Sequence, residues 1–436
     1  MNLYDAIFKK DLAGRTAILY ERRRISYAEL RDLTLAFARA LRALGVDRGD
    51  RLALLLNDSP EFIAAFVSIC SYGAIAVPIN MGLRIEEQRA ILNNCTARLA
   101  IVEEDLCEAL LKTESELNDL KRVVVVSRGE NNRGFTPEPQ SSHLPSSITK
   151  VFLAELLSES RQQPVPEFPS PDQNQPAFIL YTSGSTGEPK GAVHRQSDIF
   201  YTNETYCREV LRLREGDRLF SSSRLPFAYG LGNAFSFPLL NGCTTILCRE
   251  KPVPEIIAKA FADYKPTIFF GVPVVYRLLL DEAKKHSGSS TLDCSSLRLC
   301  ISAGEALPAQ LGEDWEKTLA YRCLTELARP RCCICGCLIT WTMSSTAAAA
   351  NYCKVTRPDC LTPREIKHHS ALKGIFGSKA RAQPSSIGNG LRLPPTPSWT
   401  AGCAPEIYTG RMPTVIGFTW VVPTTASNQA ANGFRR

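Results

Sequence analysis

Over residues 1–127 the chain alternates between helical and strand periodicity, and no other feature restricts its fold as much. Ser26-Tyr27-Ala28-Glu29 has the spacing of a capping box, and the apolar positions that follow recur at helical spacing up to Leu44. Gly49-Asp50 then turns the chain into Arg51-Leu-Ala-Leu-Leu-Leu56, a strand run. Ser59-Pro60-Glu61 opens another helix, with proline at its first position. The pattern predicts a strand over 74–79, a helix over 85–92 and a strand over 99–102. Repeated strand-helix units predict a doubly wound α/β sheet covered by helices. The alternation resumes from Pro176 to about Ala320. There 267–271 and 297–301 fit buried strands, and 253–261 and 273–285 fit amphipathic helices. The stretches 128–149 and 164–175, rich in turn-forming and polar residues, read as loops or linkers.

Inside the second alternating region lies Tyr181-Thr-Ser-Gly-Ser-Thr-Gly-Glu-Pro-Lys-Gly191, which follows the apolar run Ala177-Phe-Ile-Leu180. A loop leaving a buried strand with two turn glycines, four Ser/Thr hydroxyls and one lysine offers backbone N–H groups, hydroxyl donors and a cation to an anion. That is what a polyphosphate needs. It is not a Walker loop, because Pro189 precedes Lys190 and Gly191 follows it. It is not a dinucleotide fingerprint either, because the Gly-x-Gly-x-x-Gly spacing is missing. A flexible Ser/Gly linker would lack the flanking apolar strand. Thr182, Ser183, Ser185 and Thr186 can donate to phosphate oxygens, and Gly184 and Gly187 allow close backbone approach. Lys190 can pair with the charge or fix the loop.

Composition sets bounds on the rest. The 436 residues are 44% hydrophobic and 22% charged, values of a globular chain with room for two or three domains. No apolar run approaches membrane-spanning length and the first residues lack a signal-peptide pattern, so a cytoplasmic location and no membrane partner are expected. The net charge of +7 hides an asymmetry. Residues 321–436 carry 14 Lys/Arg against 4 Asp/Glu, whereas residues 1–320 carry 37 against 40. Eight of the 16 cysteines also fall in that last segment.

Two further segments stand out. Pro226-Phe-Ala-Tyr-Gly-Leu-Gly-Asn233 is an aromatic turn flanked by glycines; alone it would read as a packed turn. Ser302-Ala-Gly-Glu-Ala-Leu-Pro308 lies between a strand and a helix; alone it would be an ordinary connection with Glu305 exposed. A lone His194 is read as structural.

Together these segments resemble the adenylate-forming family, which includes acyl- and aryl-CoA ligases, luciferases and peptide-synthetase adenylation domains. The resemblance is nearest to benzoate- and hydroxybenzoate-CoA ligases and covers about residues 1–320. Ile25-Ser-Tyr-Ala-Glu-Leu30, Gly73-Ala-Ile-Ala-Val-Pro78 and Phe270-Gly-Val-Pro-Val-Val275 share in it. It implies the large N-terminal α/β domain of that family, with doubly wound sheets flanked by helices. It further implies that Thr182, Ser183, Gly184, Ser185, Thr186, Gly187 and Lys190 bind the ATP phosphates, and that Ala303, Gly304, Glu305 and Ala306 bind adenine. Phe227, Ala228, Tyr229 and Gly230 are implied to line a flat apolar slot for an aryl ring. ATP, Mg2+ and coenzyme A are the implied co-substrates and a small aromatic carboxylate the implied partner, with no nucleic acid. The expected division is 1–170 and 171–320 as two subdomains and 321–436 as a tail outside the family.

The resemblance stops where the composition shifts. The family continues with Asp-Gly-Ile-Gly-Ser-Thr-Glu-Met-Leu-His, whose Thr-Glu pair serves ATP and magnesium. This chain reads Leu324-Thr-Glu-Leu-Ala-Arg-Pro-Arg-Cys-Cys-Ile334. If each codon is started at the third base of the printed one, allowed codons give the family motif in order. The same offset from Trp420 permits Gly-Arg-Ser/Ala-Asp-Asp, the family's hinge. From Gln429 to Arg435 it permits Ser-Gly-Gln-Trp-Val-Ser, the family's lid entry. One frame change near residues 313–324 accounts for both. The tail is then expected to be disordered, the chain truncated with respect to the family fold, and no catalytic residue intact. A zinc site at Cys332, Cys333, Cys335 and Cys337 matches no common ligand spacing. Three readings compete: an aryl-CoA ligase by descent and inactive as written, an inactive nucleotide-binding remnant, and an enzyme adenylating amino acids or fatty acids. The absence of an acid from Phe227–Gly230 favours an uncharged aryl group over an amino acid.

Overall fold

The computed structural model describes residues 2–127, 148–170, 175–182, 189–285, 292–305 and 307–319. The tail reading from 321 onward, including the cysteines at 332–337, lies outside the described residues. In chain order the elements begin with α1 (Leu3–Ile7), β1 (Thr16–Tyr20), β2 (Arg23–Ser26), α2 (Tyr27–Ala43), β3 (Arg51–Leu55), α3 (Pro60–Tyr72) and β4 (Ile75–Pro78). They continue with α4 (Ile85–Asn94), β5 (Leu99–Glu103), α5 (Glu104–Leu111), β6 (Arg122–Val126), β7 (Thr149–Phe152), α6 (Leu153–Glu159), β8 (Pro176–Thr182) and β9 (Lys190–Arg195). Then follow α7 (Gln196–Thr202), β10 (Arg218–Ser221), α8 (Ala228–Leu231), α9 (Phe237–Leu240), β11 (Thr244–Leu247), α10 (Pro254–Tyr264), β12 (Ile268–Gly271), α11 (Pro273–Lys285), β13 (Leu299–Ser302) and α12 (Ala309–Leu319). Two π-helical turns, Asn203–Leu211 and Gly232–Ser236, extend α7 and α8.

Local chemistry accounts for the helix starts. Ser26 Oγ accepts the Glu29 N–H at 3.1 Å and Glu29 Oε2 accepts the Ser26 N–H at 2.7 Å, so the capping box is closed from both sides. Ser59 caps α3 through the Phe62 N–H at 3.2 Å, and Pro60 fills the first turn, where no donor is needed.

The strands form two sheets. One has the order β13-β12-β10-β11-β1-β2 and the other β7-β6-β5-β3-β4-β8-β9. Both are parallel except at one edge each, where β1 pairs β2 and β8 pairs β9 antiparallel. Each sheet takes strands from both sides of residue 170, since β1 aligns Ile18 with Thr245 of β11, and β4 aligns Ala76 with Phe178 of β8.

Three cores give the layering. The largest lies between the sheets around α3, eleven of whose thirteen residues are buried. A helix apolar on every side is the expected filling of a space enclosed by two sheets. Phe66 of α3 meets Phe178 of β8 at 5.6 Å and Phe235 of the second π-helical turn at 5.2 Å, so it touches structure belonging to both sheets. A second core packs α4 and α5 on the outer face of the β3-containing sheet. A third packs α10, α11 and α12 outside the β10-containing sheet, where Tyr276 and Trp315 meet edge to face at 4.7 Å. The chain is an α/β fold of helix-covered sheets, as the alternation predicts. Among the described residues, no helix is long and apolar enough to cross a membrane.

Candidate active site

The segments singled out in the sequence all sit at the carboxyl ends of parallel strands. In a doubly wound sheet these ends leave a crevice that a ligand can enter. Thr182 ends β8 and faces Lys190, the first residue of β9, across an antiparallel pair. The glycine- and hydroxyl-rich loop is therefore the connection of a hairpin. Ser183, Gly184, Ser185, Thr186 and Gly187 lie outside the described residues; of the family set, Thr182 is exposed and Lys190 half-buried. Just before the loop, the Tyr181 hydroxyl donates to Asn94 Oδ1 at 2.6 Å, which ties the hairpin to the end of α4. Burial pushes that hydroxyl well above its ordinary pKa, so it stays a donor.

The aromatic turn follows β10. Phe227 is 44% exposed, Ala228 and Tyr229 are half-buried and Gly230 is buried. Gly230 has no room for a side chain. A Cβ there would stand 2.6 Å from the Ser223 carbonyl oxygen and nearer still to the Arg224 carbonyl, all of it backbone. The Tyr229 hydroxyl reaches the Gly271 carbonyl at 3.2 Å and the Ile301 carbonyl at 3.3 Å. Ile301 also accepts from the Tyr276 hydroxyl at 2.8 Å. Two tyrosines thus bracket the ends of β12 and β13 from opposite sides.

The strip after β13 begins at those carbonyls. Ala303 is 1% exposed and its N–H donates to Gly271 at 3.3 Å. Gly304 has φ +95°, a conformation that favours glycine, and it and Glu305 are exposed. Ala306 lies outside the described residues. The structure therefore brings the turn at 227–230 and the strip at 303–305 together through Tyr229, and it leaves Phe227, Gly304 and Glu305 open to a ligand.

A belt of charge ties the two sheets at the same ends, and the sequence reading missed it. Glu103, at the end of β5, is 2% exposed. It accepts the Asn57 N–H at 3.0 Å and pairs with Arg249 at 2.6 Å. Arg224 donates to Asn57 Oδ1 at 3.0 Å and to the carbonyls of Cys248, Arg249 and Glu250 at 2.7–2.9 Å. Asp58, 4% exposed, accepts the Leu225 N–H at 3.0 Å and has Arg224 Nε at 3.9 Å. Burial pushes the Asp58 carboxyl up to about 6, against the pull of Arg224 and the Leu225 N–H. The available signal was Glu103, a carboxylate directly after the wholly apolar run Leu99–Val102, where a buried acid needs a partner.

His194 is buried and stacks on Phe178 at 4.8 Å, with Nδ1 3.6 Å from Asp198. Among the described residues, no group of three or more His, Cys, Asp or Glu side chains could hold a metal ion.

In sequence and in fold the chain is similar to known proteins. The family model for the AMP-binding enzyme matches residues 8–327. The chain is 33% identical over 322 residues to the benzoate–CoA ligase of Thauera aromatica, covering 72% of this chain and 55% of that protein. It is 32% identical over 308 residues to the 4-hydroxybenzoate–CoA/benzoate–CoA ligase of Rhodopseudomonas palustris, covering 71% and 53%. Among solved structures, it is similar to the anthranilate CoA ligase AuaEII in complex with anthranoyl-AMP. The TM-score there is 0.64 at 30% identity, covering 73% of this chain and 58% of that one. The chain spans about half the length of the curated relatives it matches.

Proposed function

Because this chain belongs to the AMP-binding enzyme family, we propose that it carries the acid-activating site of an ATP-dependent aryl-CoA ligase. In the first half-reaction, an oxygen of an aromatic carboxylate attacks the α-phosphorus of Mg-ATP. The bond to the bridging oxygen breaks and pyrophosphate leaves. In the second, the sulfur of coenzyme A bonds to the acyl carbon, AMP leaves and the thiol proton passes to solvent. The protein's share is positioning and charge stabilisation.

The observation that carries this reading is the Tyr229 bridge, which ties an aromatic, acid-free turn to the Gly271 and Ile301 carbonyls at the strand ends from which the Ala303–Glu305 strip leads. An aryl ring on Phe227, Ala228, Tyr229 and Gly230 would then lie beside a base resting on Ala303, Gly304, Glu305 and Ala306. The hairpin of Thr182 and Lys190, with Ser183, Gly184, Ser185, Thr186 and Gly187 between them, would take the phosphates. The similarity to ligases named for benzoate and hydroxybenzoate supports an aromatic acid as substrate. We assign residues 1–320 to one large domain, since each of its sheets draws strands from both sides of residue 170, and read residues 321–436 as text in a shifted frame. On that assignment the family's Thr-Glu pair is absent from the polypeptide as written. The buried free thiols of Cys70, Cys95, Cys107 and Cys207 support a reducing compartment such as the cytoplasm.

The test is pyrophosphate release by a chain continued in the shifted frame from within residues 313–324. Release that depends on benzoate-like acids supports the proposal. Turnover of long-chain fatty acids or amino acids without turnover of benzoates refutes it.

A further inference from the structure

We propose that Asp58 is a positioning residue that fixes the acyl slot relative to the phosphate-loop strands. This rests on the reading above, in which the turn at 227–230 takes the aryl group and the β8–β9 hairpin takes phosphate.

The two subsites ride on different sheets. The slot and the strip follow β10 and β13, whereas the phosphate loop joins β8 to β9. Within a sheet, hydrogen-bond ladders fix strand positions. Between sheets there is no ladder, yet attack requires the carboxylate oxygen about 3–3.5 Å from phosphorus. The link that closes this gap can be followed through named contacts. β8 pairs with β4, and β4 pairs with β3 over Arg51–Leu54. Three residues past the end of β3, Asp58 accepts the Leu225 N–H at 3.0 Å. Leu225 directly precedes Pro226 and the slot. Next to it, Asn57 Oδ1 takes the Arg224 guanidinium at 3.0 Å.

Asp58 is 4% exposed and Leu225 0%, so water cannot replace the bond if the carboxylate is removed. A further tie of the belt, Glu103 to Arg249, reaches the segment after β11, which carries no slot residue. Asn57 holds the Arg224 side chain, so Asp58 is the member of the belt that bonds directly to the main chain beside the slot.

A residue that sets the spacing of two subsites matters to a ligand that spans both and hardly matters to either half alone. The 436-residue chain is titrated calorimetrically with a benzoyl-adenylate mimic that keeps the β- and γ-phosphates of ATP, the benzoyl group being joined to the α-phosphorus through nitrogen, so that it reaches the slot and the phosphate loop together. Benzoate and ATP are measured separately by competition. In Asp58→Ala the Kd of the mimic rises about tenfold or more, while those of benzoate and ATP stay within about twofold. Asp58→Asn, which keeps an acceptor for the Leu225 N–H, recovers most of the loss. Should Asp58→Ala fail to fold, Asp58→Glu carries the test. Its carboxylate is one methylene farther out, so the mimic weakens and the fragments do not. Unchanged mimic affinity in the tested variant overturns the proposal. So does a parallel loss for all three ligands, which is the mark of a merely structural residue. If the wild-type chain does not bind the mimic, the aryl-ligase reading falls too; if it does, only the role of Asp58 is at stake.

Discussion

Replacing Gly230 by alanine reverses a general rule. Gly230 lies within α8, and alanine is favoured over glycine in a helix interior by about 1 kcal/mol. Here the added Cβ would stand 2.6 Å from the Ser223 carbonyl oxygen and closer still to Arg224, whereas real Cβ atoms essentially never come within 3.0 Å. The obstacles are backbone atoms, so no side chain can swing away. The turn at 227–230 must instead retreat by more than the 0.4 Å that separates 2.6 from 3.0 Å. Overpacking of this kind costs about 1–3 kcal/mol, and the rigid backbone argues for the upper end. With an unfolding entropy of about 2.1 cal/mol/K per residue, a domain of roughly 300 residues loses about 4 °C in Tm for 2.5 kcal/mol. A displacement approaching 1 Å at a reacting centre also costs about 100-fold in rate. The assay is the thermal midpoint of Gly230→Ala beside wild type, with affinity for the benzoyl-adenylate mimic measured on both. A midpoint equal to or above wild type, with affinity retained, refutes the reasoning.

Other perturbations have expected outcomes of their own. Arg298 grips Asp217, 4% exposed, through Nε at 2.8 Å and Nη2 at 2.5 Å. Burial pulls that carboxyl upward, but hydrogen bonds from Arg298, the Arg214 N–H and Thr267 hold it below its ordinary value. Arg298→Ala therefore costs about 3–5 kcal/mol at pH 7. The Asp217 contribution in wild type is present above the ordinary aspartate pKa and is lost as pH falls below it, which denaturant titrations at pH 7 and pH 3 will show. Asp58 has the opposite sign. Its pKa of about 6, against 3.8 for an exposed aspartate, means the folded state holds the proton more tightly. Wild-type stability should fall relative to Asp58→Asn as pH rises from 4 to 6, by at most about 3 kcal/mol, and equal slopes would contradict this. In the chain continued in the shifted frame, Lys190→Ala should raise the KM for ATP by roughly 1.5–3 kcal/mol, read from pyrophosphate release. Tyr229→Phe should cost only about 0.5–1.5 kcal/mol in stability, because Ile301 keeps the Tyr276 hydroxyl.

What the sequence discloses and what it hides divide along local and non-local physics. Helix starts are legible because caps are chosen by neighbouring residues, as at Ser26 and Ser59. The helix expected over 273–285 appears with those bounds. Strand ends are less legible: the run to Leu56 continues past the ladder, which stops at Leu55 while Leu56 stays buried. Sheet membership is not legible at all. Nothing near Thr16 announces a partner at Thr244 and Thr245, and β6 and β7 flank a stretch read as linker, with Thr149 opening β7. At the site, glycines and hydroxyls in a row make the loop legible, whereas the turn and the strip are picked out only by the family resemblance; spacing and composition go no further. They do not reveal that Tyr229 spends its hydroxyl on two backbone carbonyls. Nor do they pair Asp58 with Leu225, 167 positions away, since that contact exists only once two sheets are stacked.

The central claim is that this fold presents a slot for an aromatic acyl group beside a nucleotide strip. It is tested most directly by titrating the 436-residue chain with three adenylate mimics that share one sulfamoyl linkage and differ only in carrying a benzoyl, a long-chain acyl or an aminoacyl group. The account predicts that the benzoyl mimic binds more tightly than either other by at least about tenfold, or 1.4 kcal/mol. A long-chain or aminoacyl mimic that binds as well as the benzoyl one, or no binding of any of the three, would contradict it.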